Sequence, residues 1–234
     1  RRMEGYTRAN AGGAPDNFAM YFVISFDCEL DAAGCGTFGA DHAASADTER
    51  TGDAAGAFVG FLPGDSGVVH AKVGTSYISL EQAKRNLERE IGARSFDETK
   101  RKAAALWEEK LGAVSIEGGD EERLYTFYTC LYRVSLFPRV AHEEDESGRL
   151  IHYSPHNGEI VPGPMYADVG FWDVYRTSFP LLSLLYPEQL REMLEAWVNV
   201  YKESGWMPKW LSPGERSVMP GTLIDAARRS AEKS

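Results

Sequence analysis

Within the seven residues Gly170-Phe171-Trp172-Asp173-Val174-Tyr175-Arg176, three aromatics, one carboxylate and one guanidinium occur together. Planar rings beside a hydrogen-bonding carboxylate suit a sugar, because C–H faces stack on a ring while hydroxyls meet the charge. A purely structural reading stands beside it: Phe171 and Trp172 as core, and Asp173 paired with Arg176 at a helix N-terminus. A second aromatic loop, Trp206-Met207-Pro208-Lys209-Trp210, offers two more indoles and an ammonium. In a ring of paired helices both loops would gather at one end. They would then form either a saccharide pocket or two apolar plugs closing the bundle.

Other chemistries find less support. His152 and His156 are four apart, but Pro155 between them opposes the helix that would align their rings. With His142 they read as loop histidines on the surface rather than a zinc site. The acidic run Glu143-Glu144-Asp145-Glu146 lacks the spacing and glycine of an EF-hand loop. There is no Gly-x-Ser-x-Gly elbow and no phosphate-binding glycine loop. Cys130, between Phe127 and Leu131 on a helix face, reads as structural. Cys28, Cys35 and Cys130 together read as buried or half-buried thiols rather than a disulfide framework.

The totals set limits. The 234 residues allow one large domain or two small ones, and 43% hydrophobic content is enough for a core. A net charge of −10, with no basic stripe, excludes a typical nucleic-acid binder and a basic membrane-surface helix. No apolar run approaches the ~20 residues of a membrane span. The start, Arg1-Arg2-Met3-Glu4-Gly5, has no apolar signal region. The compartment stays open: outside the cell or in its envelope if a removed signal preceded Arg1, otherwise the cytoplasm.

The elements that must position the aromatic loops can be read in order. Residues 1–16 are polar and glycine-rich, a loop. Phe18 to Phe26 is an aromatic and β-branched run, a strand buried on both faces. Residues 34–57 read as a long loop or hairpin region, 57–61 as a second strand and 68–78 as a third. Short strands with Gly and Pro turns point to a sandwich, although three are too few for one. Ser79 and Ser95 then open two helices with capping boxes. One carries Leu80, Ala83, Leu87 and Ile91 inward, the other Phe96, Ala103, Leu106, Trp107 and Leu111. Their outer faces, including Arg85 and Arg89, read as solvated. Asp120 opens a helix with Leu124, Phe127, Tyr128, Leu131 and Tyr132 inward, ended by Pro138. Residues 139–168 read as a long loop, a common place for function. The Trp172 segment leads into a buried helix. Pro187 starts the next helix and Gly205 closes it. Thr222 caps a last helix that turns charged beyond Ala226.

Five segments taken together resemble glycoside hydrolase family 92. They are Asn17-Phe18-Ala19-Met20-Tyr21-Phe22, residues 74–83, Phe127 to Arg133, Phe171 to Thr177 and Gly205 to Trp210. That family comprises calcium-dependent, inverting exo-α-mannosidases. The resemblance runs from about Tyr6 to Asp225. It implies an α+β chain: residues 1–79 as the C-terminal part of a β-sandwich, 80–112 as a helical linker, and 113–234 as the first helix hairpins of an (α/α)6 toroid. It implies Trp172 and Asp173 as walls of the terminal-mannose subsite, with Arg176 orienting Asp173 and Trp206, Lys209 and Trp210 nearby. A mannose-containing glycan, α-1,2 linked or of N-glycan type, would be the substrate. The family's acid, base and calcium ligands lie downstream of Met219 to Asp225, so no catalytic or metal residue is assigned here. The chain would need the remainder of the toroid and be inert alone. A non-catalytic carbohydrate-binding or scaffolding module is the alternative.

Overall fold

A strand opens the chain where a loop is expected. In the computed structural model, which describes residues 1–10, 13–62, 64, 67–216, 218–219 and 223–226, strand β1 (Arg2–Thr7) pairs antiparallel with β2 (Met20–Phe26). Arg2, Glu4 and Tyr6 face solvent while Met3, Gly5 and Thr7 are half-covered, so a period of two is present under a polar composition. On its other side β2 pairs with β6 (Ala71–Ser76). A second sheet has β3 (Glu29–Phe38) between β4 (Ala44–Ser45) and β5 (Gly56–Leu62). Of the region 34–57, expected as a long loop or hairpin, residues 34–38, 44–45 and 56–57 are strand, and β3 and β4 form the hairpin. Phe26 and Phe61 meet edge to face at 5.0 Å and join the two sheets. The expected loop at Ala11 and Gly12, the Thr222 cap and the charged tail after Ala226 lie outside the described residues.

Strand β2 is less buried than its composition predicts. Only Val23 is fully enclosed, because helix α1 (Leu80–Glu90) covers that side alone, through Ala83 and Leu87. Ser79 caps α1 by accepting from the Gln82 N–H at 3.0 Å. The close approach of helix to sheet depends on Gly74. A Cβ there would lie 2.5 Å from the Ala83 carbonyl oxygen and 2.6 Å from Leu87 Cβ.

Helices α2 (Phe96–Leu111) and α3 (Glu121–Val134) form with the caps expected at Ser95 and Asp120. Helix α3 ends at Val134, before Pro138. Their apolar stripes are not covered as expected. No residue of α2 is buried, Phe96 is 68% exposed and Leu106 57%, and α3 buries only Leu131. Amphipathic spacing identifies a helix but does not supply the surface that would cover it. Trp107 and Tyr132 pack against each other with their rings tilted by 57° and centres 4.5 Å apart. Cys130 is exposed, and Cys28 and Cys35 are half-buried; all three are free thiols.

The expected loop over 139–168 is a run of short strands instead: β7 (Arg139–Val140), β8 (His142–Glu144), β9 (Leu150–Tyr153), β10 (Ile160–Pro162) and β11 (Tyr166–Ala167). Strands of two to four residues are too short for a periodicity argument to detect. The acidic run fastens this meander to α1. Glu143 accepts from Ser76 Oγ, the Tyr77 N–H and Asn86 Nδ2 at 3.0, 2.8 and 2.7 Å. Glu144 pairs with Arg89, and Glu146 with Arg85. So that face of α1, expected to be solvated, is partly turned onto the hairpin.

The main core lies farther along the chain. Strand β12 (Val169–Gly170) runs into a four-residue helix α4 (Phe171–Val174), then α5 (Ser178–Leu185), α6 (Pro187–Ser204) and strand β13 (Trp210–Leu211). Phe171, Phe179 and Trp197 form its centre. Phe171 meets Trp197 edge to face at 4.8 Å, and Phe179 stacks on Trp197 at 5.3 Å. Met165, Leu182, Leu190, Met193 and Leu211 surround them. The helix after Trp172 is buried on one side only, since Leu184 projects outward. Pro187 occupies the first turn of α6 and Gly205 closes it with φ 80°. None of the described helices is long and apolar enough to cross a membrane.

Gly74→Ala is expected to cost about 1–3 kcal/mol by overpacking the contact of β6 with α1. Urea denaturation should show a lower midpoint with an unchanged slope. An unchanged midpoint would show that α1 can shift away freely.

Candidate functional site

The two aromatic segments are built into one place by a two-strand pairing. Val169 pairs with Leu211 and Gly170 with Trp210, antiparallel. Buried Val169, Phe171 and Leu211 anchor both segments in the core, with Gly170 buried beside them and Trp210 half-buried. Gly170 leaves open the space that a side chain would fill. A Cβ there would lie 2.7 Å from Asp173 Oδ2 and 3.7 Å from Trp210 Cδ2. The Asp173 carboxylate and the Trp210 indole therefore share the open side of Gly170.

Trp172 is 56% exposed and Trp206 79%, so neither indole is core. The core reading holds for Phe171 but not for Trp172. Asp173, Arg176 and Lys209 are also exposed. Arg176 does not orient Asp173: its Nε donates to the Tyr175 hydroxyl, and its guanidinium lies 5.1 Å from that ring's centre. The neighbouring phenol takes the cation, and no ion pair joins Arg176 to Asp173 among the described residues. The structure thus brings Asp173 and Trp210 together at Gly170 and ties Lys209 into the same strand pair, while Trp206 projects from the start of its loop.

The loop 205–210 is held at both ends. Ser204 Oγ accepts from the Trp206 N–H at 3.1 Å. Glu215 accepts from the Lys209 N–H at 2.8 Å and, more weakly, from the Trp210 N–H at 3.4 Å. Sequence reasoning passed over Glu215. The signal was the Pro213-Gly214 turn between Trp210-Leu211 and Glu215-Arg216, a short hairpin closed by the Leu211–Glu215 bridge.

The histidines expected on the surface divide. His152 on β9 is fully buried, with Nε2 3.0 Å from Glu203 Oε1 and Nδ1 2.8 Å from the Gly163 carbonyl oxygen. Both ring nitrogens face hydrogen-bond acceptors. His156 is half-buried; burial pushes it below the ordinary histidine range, against the pull of Glu203 and Glu215. Burial acts to raise Glu203, but the His152 bond and the Ser154 hydroxyl outweigh it and hold this carboxylate below the ordinary glutamate range. Glu203 sits in the last turn of α6, directly before the loop that carries Trp206 and Trp210. Among the described residues no group of three His, Cys, Asp or Glu side chains could hold a metal ion.

Comparison with known proteins places this architecture. A family model described as the glycosyl hydrolase family 92 catalytic domain matches residues 82–231. A curated protein of Arthroderma benhamiae, described as an uncharacterized secreted glycosidase, is 33% identical over 91 residues, covering 36% of this chain and 12% of that protein. A solved family GH92 inverting mannosidase of Bacteroides thetaiotaomicron VPI-5482 superposes with a TM-score of 0.93 at 38% identity. That match covers 100% of this chain and 32% of the mannosidase. A family GH92 alpha-mannosidase of Bacteroides thetaiotaomicron shares the fold with a TM-score of 0.74 at 22% identity, over 92% of this chain and 30% of its own. The chain thus spans about a third of the length of the solved structures it matches.

The buried His152–Glu203 pair carries a pH signature. A lowered carboxylate pKa contributes stability above the unfolded value of about 4.3, and loses it as pH falls through the folded value. Glu203→Gln keeps an acceptor for His152 and removes the titration. Its denaturation midpoint should therefore fall less steeply than the parent's below about pH 4.3. Parallel curves would show that the pair does not govern the acid limb.

Proposed function

Because the chain belongs to glycosyl hydrolase family 92, we propose that it supplies sugar-facing walls of an α-mannosidase that removes terminal α-linked mannose by inverting hydrolysis. The observation that carries this reading is the shared space at Gly170, where a carboxylate and an indole meet beside the exposed Trp172. The carboxylate can accept from two sugar hydroxyls, and the indole can cover a C–H face. Lys209 and Trp206 extend the same surface outward. On this reading β1 to β6 are the tail of a sandwich domain, α1 and α2 a linker, and the segment from residue 113 the beginning of an (α/α)6 toroid.

Inverting hydrolysis needs a carboxylic acid and a carboxylate about 6.5–9.5 Å apart with a water between them. We assign neither role to this chain, whose matched relative is about three times as long. The described residues do not fit a calcium site either, since no cluster of ligands occurs among them. Calcium would have to be held by residues elsewhere in a longer polypeptide, and no step here is routed through it. What these side chains do is bind and orient: Asp173 fixes hydroxyls, and the indoles exclude water from one face of the ring.

Release of mannose from an α-1,2-linked disaccharide, with calcium and with a chelator, tests the reading in the full-length polypeptide. Turnover should appear with calcium and disappear with the chelator, and the 234 residues alone should release none. Asp173→Asn should lower kcat/KM by about 10- to 100-fold through loss of charge-assisted hydrogen bonds. Trp172→Ala should raise KM. If both variants match the parent, the pocket lies elsewhere. Tight mannoside binding without turnover by the full-length polypeptide would instead make it a carbohydrate-binding module.

A further inference from the structure

The pocket proposed above depends on two chain segments keeping one register, and a polar staple crosses between them. Asp168, the residue before β12, has a left-handed backbone with φ 60°. Its Oδ2 accepts from Arg139 Nε at 2.6 Å, and its Oδ1 accepts from Ser212 Oγ at 3.2 Å. Ser212 follows β13 directly. Asp168 and Ser212 therefore close the end of the strand pair whose other end holds Gly170 and Trp210. Arg139 carries the connection onward. Its Nη1 donates to the Tyr77 hydroxyl at 2.9 Å, just beyond β6. Tyr77 in turn packs on Phe18, with ring centres 5.6 Å apart.

Backbone pairing alone leaves this two-residue ladder weak, since two pairs fix little chain for the entropy they cost. A charge-assisted bond at its end adds both strength and direction. The left-handed conformation turns the Asp168 carboxylate toward both partners, and aspartate is among the few side chains that adopt it at small cost. Each carboxylate oxygen is engaged by a protein donor, which ties Asp168 to the strands.

We propose that Asp168, with Ser212 and Arg139, is a positioning residue of the mannoside pocket: the staple sets the register that brings Asp173 and Trp210 to the same side of Gly170. This rests on the mannoside reading given above. It also links the pocket to the N-terminal strands, because Tyr77 is the far end of the same bonded chain.

The test uses the full-length polypeptide and two readouts. Asp168→Gly keeps the left-handed backbone and deletes the carboxylate; Asp168→Asn keeps the shape and a Ser212 acceptor. Ser212→Ala removes one bond only and serves if the glycine variant does not fold. Hydrogen exchange of the amides in residues 169–171 and 209–211 reports the register without any sugar. KM and kcat for an α-1,2-linked mannose disaccharide report the pocket. Asp168→Gly should speed exchange in both segments and raise KM by about tenfold with a smaller change in kcat. Asp168→Asn, which cannot accept from Arg139 and Ser212 at once, should restore only part of both, and Ser212→Ala, which keeps the Arg139 bond, should change least. Unchanged exchange overturns the staple. Faster exchange with unchanged KM overturns the positioning role and leaves a purely structural bond. A wild-type protein that neither binds nor cleaves mannosides refutes the mannoside reading instead, and the staple is then judged on exchange alone.

Discussion

The pairing of Gly170 with Trp210 is the constraint on which the candidate site depends. The strand pair sets buried Val169 beside buried Leu211 and buried Gly170 beside half-buried Trp210, while Phe171 carries the chain on into the core. With a hydrogen at Gly170 in place of a side chain, the carboxylate of one segment and the indole of the other can occupy the same space. A methyl group there would meet Asp173 Oδ2 at 2.7 Å, so the carboxylate would have to swing aside, while Trp210 Cδ2 at 3.7 Å would be in ordinary contact. The site is therefore a consequence of packing beneath it. Trp197, wholly buried against Phe171 and Phe179, fixes the floor, and the floor fixes the direction of Trp172 and Asp173.

Electrostatics does a different job in this chain. The acidic run 143–146 could have been read as a ligand set, yet each of its members is bound internally. Glu143 binds Ser76, Tyr77 and Asn86; Glu144 and Glu146 bind arginines of α1; and Asp145 closes its own turn with Arg149. Single surface ion pairs contribute little. Glu143 differs because it is half-buried and accepts a backbone N–H together with two side-chain donors, so its removal would strand several polar groups at once. Through it the meander of short strands is tied to α1, and α1 is tied to the N-terminal sheet through Gly74.

What was legible in the sequence follows the range of the interactions involved. The caps at Ser79, Ser95 and Asp120, the proline start of α6 and its glycine end are local events, and the residues that make them are within four positions of each other. The aromatic loops were identified from side-chain chemistry, and their meeting at one place was expected only on condition of a ring of helices. The structure brings them together by a different device, a two-residue strand pair that no periodicity could reveal. Residues 139–168 failed for the same reason: strands of two to four residues leave no pattern. His152 failed because Pro155 and the glycines nearby signal a loop, whereas its burial is decided by Glu203, 51 residues away.

The stripes of α2 and α3 make the complementary point. Helical spacing predicts an apolar face on each, and both helices form, yet Phe96, Leu106 and Tyr132 remain exposed. Helix α6, with a stripe of the same kind, buries Leu190, Met193, Ala196, Trp197 and Val200. The difference lies in what is opposite: α6 faces Phe171, Phe179 and Leu211 across the main core, whereas α2 buries no residue and α3 only Leu131. Periodicity specifies that a face is available for burial, and topology decides whether it is used. The same distinction separates Phe171 from Trp172, adjacent aromatics with opposite fates. Phe171 enters the core because α6 passes beneath it, and Trp172, turned about 100° around the short helix α4, is left 56% exposed.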